Sequence, residues 1–200
     1  REALRAGVDV LELDMNVTKD GVVVVSHEKS VPPELCLGPG GAKLEKPVPV
    51  ISLALAELKE YDCGTLKNPR FPSQVASPGE KLPTLAEVFE LVRDSTEPAA
   101  AKVGFNIETK LVPGEPELSP EPAVFARLVV DTVNRYGMAE RTIVQSFDWR
   151  TLKAVKKLEP KIRISQLTEA NLIDLAAVAK ASQADIISPD FKWLNKEAVE

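Results

Sequence analysis

From residue 103 onward the chain alternates strands and helices. Runs rich in β-branched and aliphatic residues at 103–109, 142–147, 162–167 and 184–188 are separated by helical patterns at 123–136, 149–158 and 171–181. A helix between two strands is the connection that returns the chain parallel to itself, so this order predicts a parallel α/β sheet. Two further strand segments, at 8–14 and 22–25, precede the series and bring the count to six. The polar residues gather at the carboxyl ends of strands. That suits both a closed (β/α) barrel and an open doubly wound sheet, and no glycine-rich dinucleotide loop favours the second.

The stretch GVDVLELDMNVTKDGVVVVSHE, residues 7–28, carries the densest chemistry. Side chains two apart on a strand share a face, so Glu12 and Asp14 point the same way. Two carboxylates that close repel unless a cation or a shared proton compensates them. Thr18-Lys19-Asp20-Gly21 is a turn signal, and an aliphatic strand follows it to His27, the chain's single histidine. A tight hairpin would set Glu12 opposite His27. A parallel return would bring both to the same sheet edge. In the strand at 103–109, Val103, Phe105 and Ile107 share one face, which leaves Asn106, Glu108 and Lys110 together on the other. Taken singly, each feature has a plain reading: a Glu-x-Asp pair as a solvated edge, a lone histidine as a surface residue, Gln145 as a buried amide serving the backbone. Singly, the plain readings are the stronger ones; their joint occurrence with Glu108 and Lys110, at the spacing of a known family, reverses that judgement.

These residues resemble a known family. G-x-D-x-x-E-L-D-x-x-x-T-K-D-G-x-x-V-V-x-H is similar to the signature of the glycerophosphodiester phosphodiesterases. Phe105-Asn106-Ile107-Glu108-Thr109-Lys110, Val144-Gln145-Ser146-Phe147-Asp148 followed by Leu152, and the 82–88 segment resemble further family elements. The resemblance implies a (β/α)8 TIM-type barrel lacking its first and last strands, a single domain over 1–200 with loop insertions about 30–49 and 62–83. It implies a divalent metal on Glu12, Asp14 and Glu108. Three hard oxygen donors suit Mg²⁺ or Ca²⁺ better than Zn²⁺. His27 would act as acid or base, and Lys110 and Gln145 would bind a small-molecule phosphodiester. The reaction implied is hydrolysis to an alcohol and glycerol 3-phosphate. The family uses two histidines and an arginine beside the first, whereas this chain has one histidine, followed by Glu28 where the family usually has aspartate. Impaired turnover of this chain alone is therefore expected. A non-catalytic phosphodiester- or partner-binding paralogue, and a sugar-phosphate lyase or isomerase working through Lys110, are the alternatives.

Bulk properties narrow the class further. With 200 residues at 44% hydrophobic, the chain can bury a core. Its formal net charge of -5 and the lack of a basic stripe argue against a nucleic-acid partner. No apolar run approaches the ~20 residues of a transmembrane span. Oligomeric state is left open, and the proline-rich insertions resemble those of exported bacterial members. Cys36 and Cys63 read as two unrelated thiols. Ser52 is the expected cap of a short helix. A barrel missing a strand at each end would leave two bare, aggregation-prone edges.

Overall fold

The computed structural model describes residues 1–111, 113–171 and 174–199. A short helix α1 (Glu2–Arg5) leads into β1 (Val10–Val17), which turns back as β2 (Val23–Val25). After the 30–84 region the alternation begins: α3 (Leu85–Arg93), β5 (Gly104–Thr109), α4 (Pro122–Arg135), β6 (Thr142–Ser146), α5 (Trp149–Leu158), β7 (Arg163–Thr168), α6 (Leu175–Ser182), β8 (Ile186–Pro189) and α7 (Lys196–Val199). Six strands form one sheet in the order β2-β1-β5-β6-β7-β8. Every pairing is parallel except that of β1 with β2. The helix expected at 171–181 starts at Leu175 behind an Asp174 cap, and residues 172 and 173 lie outside the described set, as does Val112 in the loop expected after β5.

The hairpin reading holds, with its register one residue away from the expected one. Met15 pairs with Val25, Asn16 with Val24 and Val17 with Val23, a register that carries on to set Leu13 opposite His27, not Glu12. The cause is the turn. Thr18 N donates to Val22 O at 3.0 Å, so the loop is Lys19-Asp20-Gly21, one residue longer than an Asp-Gly two-residue turn. Gly21 takes φ 80°, the left-handed position that closes three-residue hairpins. Nor is the outer edge of β2 bare: Val25 N donates to Pro83 O at 2.8 Å and Val24 bridges Thr84. Thr84 then opens α3 through a capping box, accepting from Glu87 N while its own N–H reaches the Glu87 carboxylate.

The apolar face of the sheet packs on the helices. Phe105 and Ile107 of β5 meet Leu85, Phe89 and Val92 of α3 and Phe125, Val129 and Val133 of α4 in one buried cluster. On α4 the buried stripe runs through Phe125, Ala126, Val129, Val130 and Val133, whereas Val124 is 50% exposed. The larger Phe125 ring takes the inward position instead. Turning Phe105 and Ile107 inward sends Asn106 and Glu108 to the opposite face, which carries the site.

The region 30–64 has a core of its own. Two short antiparallel strands, β3 (Ser30–Val31) and β4 (Val48–Pro49), and a short helix α2 (Leu55–Leu58) enclose Val24, Val31, Val50, Leu58 and Tyr61. Cys36 and Cys63 are bonded there, which corrects the reading of two separate thiols. Leu37 N donates to Asp62 O at 2.7 Å and Asp62 N to Leu37 O at 2.9 Å. That exchange sets the flanking cysteines opposite each other, Cα atoms 4.1 Å apart, as in the non-hydrogen-bonded pairs of antiparallel ladders. The Asp62 carboxylate accepts from the Thr65 hydroxyl and from the N–H groups of Gly64, Thr65 and Gly79, which hold its pKa well below the usual carboxylate range. Gly64 is required in this knot, since a Cβ there would sit 1.9 Å from Ser77 O. Ser52 does not cap α2: its hydroxyl donates to Pro49 O, and the Leu55 N–H is taken by Asp20 of the hairpin turn at 3.0 Å. The turn and the lobe are thus fastened together.

Candidate active site

Parallel pairing of β1 with β5 sets Asp14 beside Glu108 and Glu12 beside Asn106. Ligand oxygens of Glu12, Asp14 and Glu108 lie within 4.8 Å of one another, a cluster that could hold a metal ion. Lys110, just past the end of β5, answers part of the charge. Its Nζ is 3.1 Å from Asp14 Oδ1 and 2.9 Å from Glu108 Oε1. Glu12 is held from the other side, accepting from Gln145 Nε2 of β6 at 2.8 Å. Three carboxylates against one ammonium leave the cluster at -2, an excess that a divalent cation would cancel.

The electrostatics follow from that excess. Partial burial and the Asp14 charge push the Glu12 carboxyl above its ordinary value, against the pull of Lys110. Burial raises Glu108 too, with Lys110 opposing and Asp14 adding to the rise. Burial pulls the Lys110 ammonium down, but its bonds to Glu108 and Asp14 outweigh this and hold it above the usual lysine value. A carboxyl raised in the folded state costs stability as pH climbs from the ordinary 4.5 through the raised value, since the folded chain binds more protons than the unfolded one in that window. Metal-free Glu12→Gln protein is therefore expected to melt at or above the unsubstituted protein at pH 7. The difference should vanish near pH 4, which thermal melts across pH would check.

His27 stands at the rim of a cleft of about 400 Å³ that Glu108, Lys110, Leu111 and Phe147 also line. Its ring is 70% exposed, and Nδ1 lies 3.0 Å from Glu28 Oε1. Sequence reasoning missed the residue that sets this segment. Buried Asn16 donates through Nδ2 to Ser26 O at 2.7 Å and Glu28 O at 3.1 Å, clamping the backbone on both sides of His27. Asn16 shares the two-residue period of Glu12 and Asp14, and that period was the available signal. Asn16→Ala should cost about 1 to 2 kcal/mol in a denaturant melt, since it strips two bonds from part-buried carbonyls. Lys29, next along the cleft, ion-pairs with Glu115 of the loop after β5.

The model of the glycerophosphoryl diester phosphodiesterase family matches residues 1–197. The chain belongs to this family. The glycerophosphodiester phosphodiesterase of Caldanaerobacter subterraneus is 30% identical over 204 residues, covering 100% of this chain and 71% of that protein. A Bacillus subtilis glycerophosphodiester phosphodiesterase is 28% identical over 98% of this chain and 64% of its own length. The crystal structure of a candidate glycerophosphoryl diester phosphodiesterase from Silicibacter pomeroyi superposes with a TM-score of 0.87 at 26% identity, covering 99% of this chain and 70% of that one. The chain thus spans about two thirds of these relatives, and its six-stranded sheet with flanking helices is the TIM-barrel-like fold of the phosphodiesterase family. Homologues bearing these names are phosphoric diester hydrolases. Among the described residues no helix is long and apolar enough to cross a membrane.

Proposed function

We propose that this protein hydrolyses glycerophosphodiesters to an alcohol and glycerol 3-phosphate, with Mg²⁺ or Ca²⁺ held by Glu12, Asp14 and Glu108, and that this chain alone does so slowly because it carries one histidine where the family uses two. The observation that carries the reading is the convergence of those three carboxylates with Lys110 beside a cleft that also holds His27. The donor set fits such an ion: all oxygen, partly desolvated and carrying excess negative charge. When bound, the ion supplies Lewis acidity toward a phosphoryl oxygen. Lys110 offers a fixed cationic donor to a phosphate entering the cleft. Gln145 gives one amide hydrogen to Glu12 and keeps the second for the substrate. Glu28 engages His27 Nδ1, which leaves Nε2 as the nitrogen that exchanges a proton with the attacking water or the leaving alcohol. The substrate class makes the role one in phospholipid head-group and glycerol metabolism.

The ion pairs of Lys110 speak against a lyase that uses it as a Schiff base, because that chemistry needs the neutral amine and two carboxylates keep it charged. Product analysis with glycerophosphocholine tests the proposal. Choline and glycerol 3-phosphate are expected, formed in the presence of Mg²⁺ or Ca²⁺ and not with chelator. Phosphocholine and glycerol, or a borohydride-trapped adduct on Lys110, would contradict it.

A further inference from the structure

Of the three clustered acids, Asp14 and Glu108 are both anchored by Lys110, whereas Glu12, the most exposed, takes its hydrogen bond from Gln145. Gln145 is in turn gripped: its Oε1 accepts from Asn106 Nδ2 at 2.9 Å. Charge fixes the direction of this chain. An ionised carboxylate only accepts, so Gln145 must turn its nitrogen to Glu12 and its carbonyl to Asn106, and Asn106 must answer with its own nitrogen. The far end bears the consequence: Asn106 Oδ1 is buried and lacks a partner among the described residues. An amide flip to seek a donor for that oxygen would face two carbonyls at each other and release Gln145. The three residues sit on three adjacent strands. Glu12 of β1 is paired in register with Asn106 of β5, and Gln145 of β6 is paired with Glu108, so the Gln145 side chain reaches over β5 to Glu12.

We infer that Asn106 and Gln145 form a one-way hydrogen-bond relay that fixes the Glu12 carboxylate beside Asp14 and Glu108, and that both are positioning residues for divalent-cation binding. The inference rests on the metal reading of the carboxylate cluster. A glutamate on a strand has three side-chain torsions to lose on ligation. The relay orders them before the cation arrives, which is how outer-shell partners tune affinity.

The test is calorimetric titration with Ca²⁺, and in parallel with Mg²⁺, without substrate, on the unsubstituted protein, Asn106→Leu, Gln145→Leu and the double variant, with thermal melts of each. Each single substitution is expected to weaken Ca²⁺ binding by about 10- to 100-fold. The double variant should bind no more weakly than Gln145→Leu, because Asn106 acts through Gln145. If Asn106→Leu does not fold, Asn106→Ala removes the same donor without added bulk and carries the same expectation. Ca²⁺ binding by the Asn106 variant equal to that of the unsubstituted protein would overturn the relay, as would an Asn106 effect of undiminished size in the Gln145→Leu background. Absence of Ca²⁺ and Mg²⁺ binding in the unsubstituted protein would instead strike the metal reading itself and remove the purpose of the relay.

Discussion

Replacing His27 by alanine is expected to lower kcat for glycerophosphodiester hydrolysis by about 10²- to 10⁴-fold, the usual worth of a positioned proton donor or acceptor. The same variant should bind Ca²⁺ or Mg²⁺ as the unsubstituted protein does, because His27 is not among the three clustered carboxylates. Its stability should also hold, since the ring is 70% exposed and the backbone around it is kept by Asn16. Steady-state kinetics beside metal titration separates the outcomes. A kcat within a few-fold of the original, or a parallel loss of metal affinity, would remove His27 from the proton-transfer role.

The second large effect is on stability. Cys36 and Cys63 close a loop with a sequence separation of 27, and loop-closure entropy makes such a cross-link worth about 3 to 4 kcal/mol. For a chain of this size that corresponds to a fall in Tm on the order of 10 °C. Cys36→Ser with Cys63→Ser, or reduction by a dithiol, should therefore melt early. The damage should begin in the 30–64 lobe, whose small core depends on the cross-link, and reach the main sheet through Val24, which belongs to both. Urea melts under oxidising and reducing conditions would check this; coincident curves would show that Leu37–Asp62 pairing and the Asp62 knot suffice without the bond.

Much of the fold and site was legible because it depends on local pattern. The period of two put Glu12 with Asp14 and Asn106 with Glu108 on one face, and the alternation after Val103 gave a parallel sheet. What escaped depends on which distant groups meet. Asp20 outcompetes the nearer Ser52 for the Leu55 N–H from 35 residues away. The cysteines are brought together by a backbone exchange between Leu37 and Asp62 that no spacing announces. The hairpin register turned on one residue, because the Thr18 N–H closes on Val22 O across a three-residue loop, with the Gly21 N–H folding back onto Thr18 O inside it. The relay through Gln145 requires β1, β5 and β6 to be neighbours, a fact of sheet order alone.

The most direct measurement of the central claim is the rate of glycerophosphocholine hydrolysis as a function of free Mg²⁺ or Ca²⁺, made side by side for the unsubstituted protein and Glu108→Gln. Glu108 is the buried member of the cluster and pairs with Lys110, so its charge is the one the cation site can least do without. Saturable activation by metal in the first and none in the second, at metal concentrations that also raise the melting temperature of the first alone, is the predicted result. Hydrolysis that persists in chelator, or activation undiminished in Glu108→Gln, would contradict the assignment of the three carboxylates to a catalytic metal.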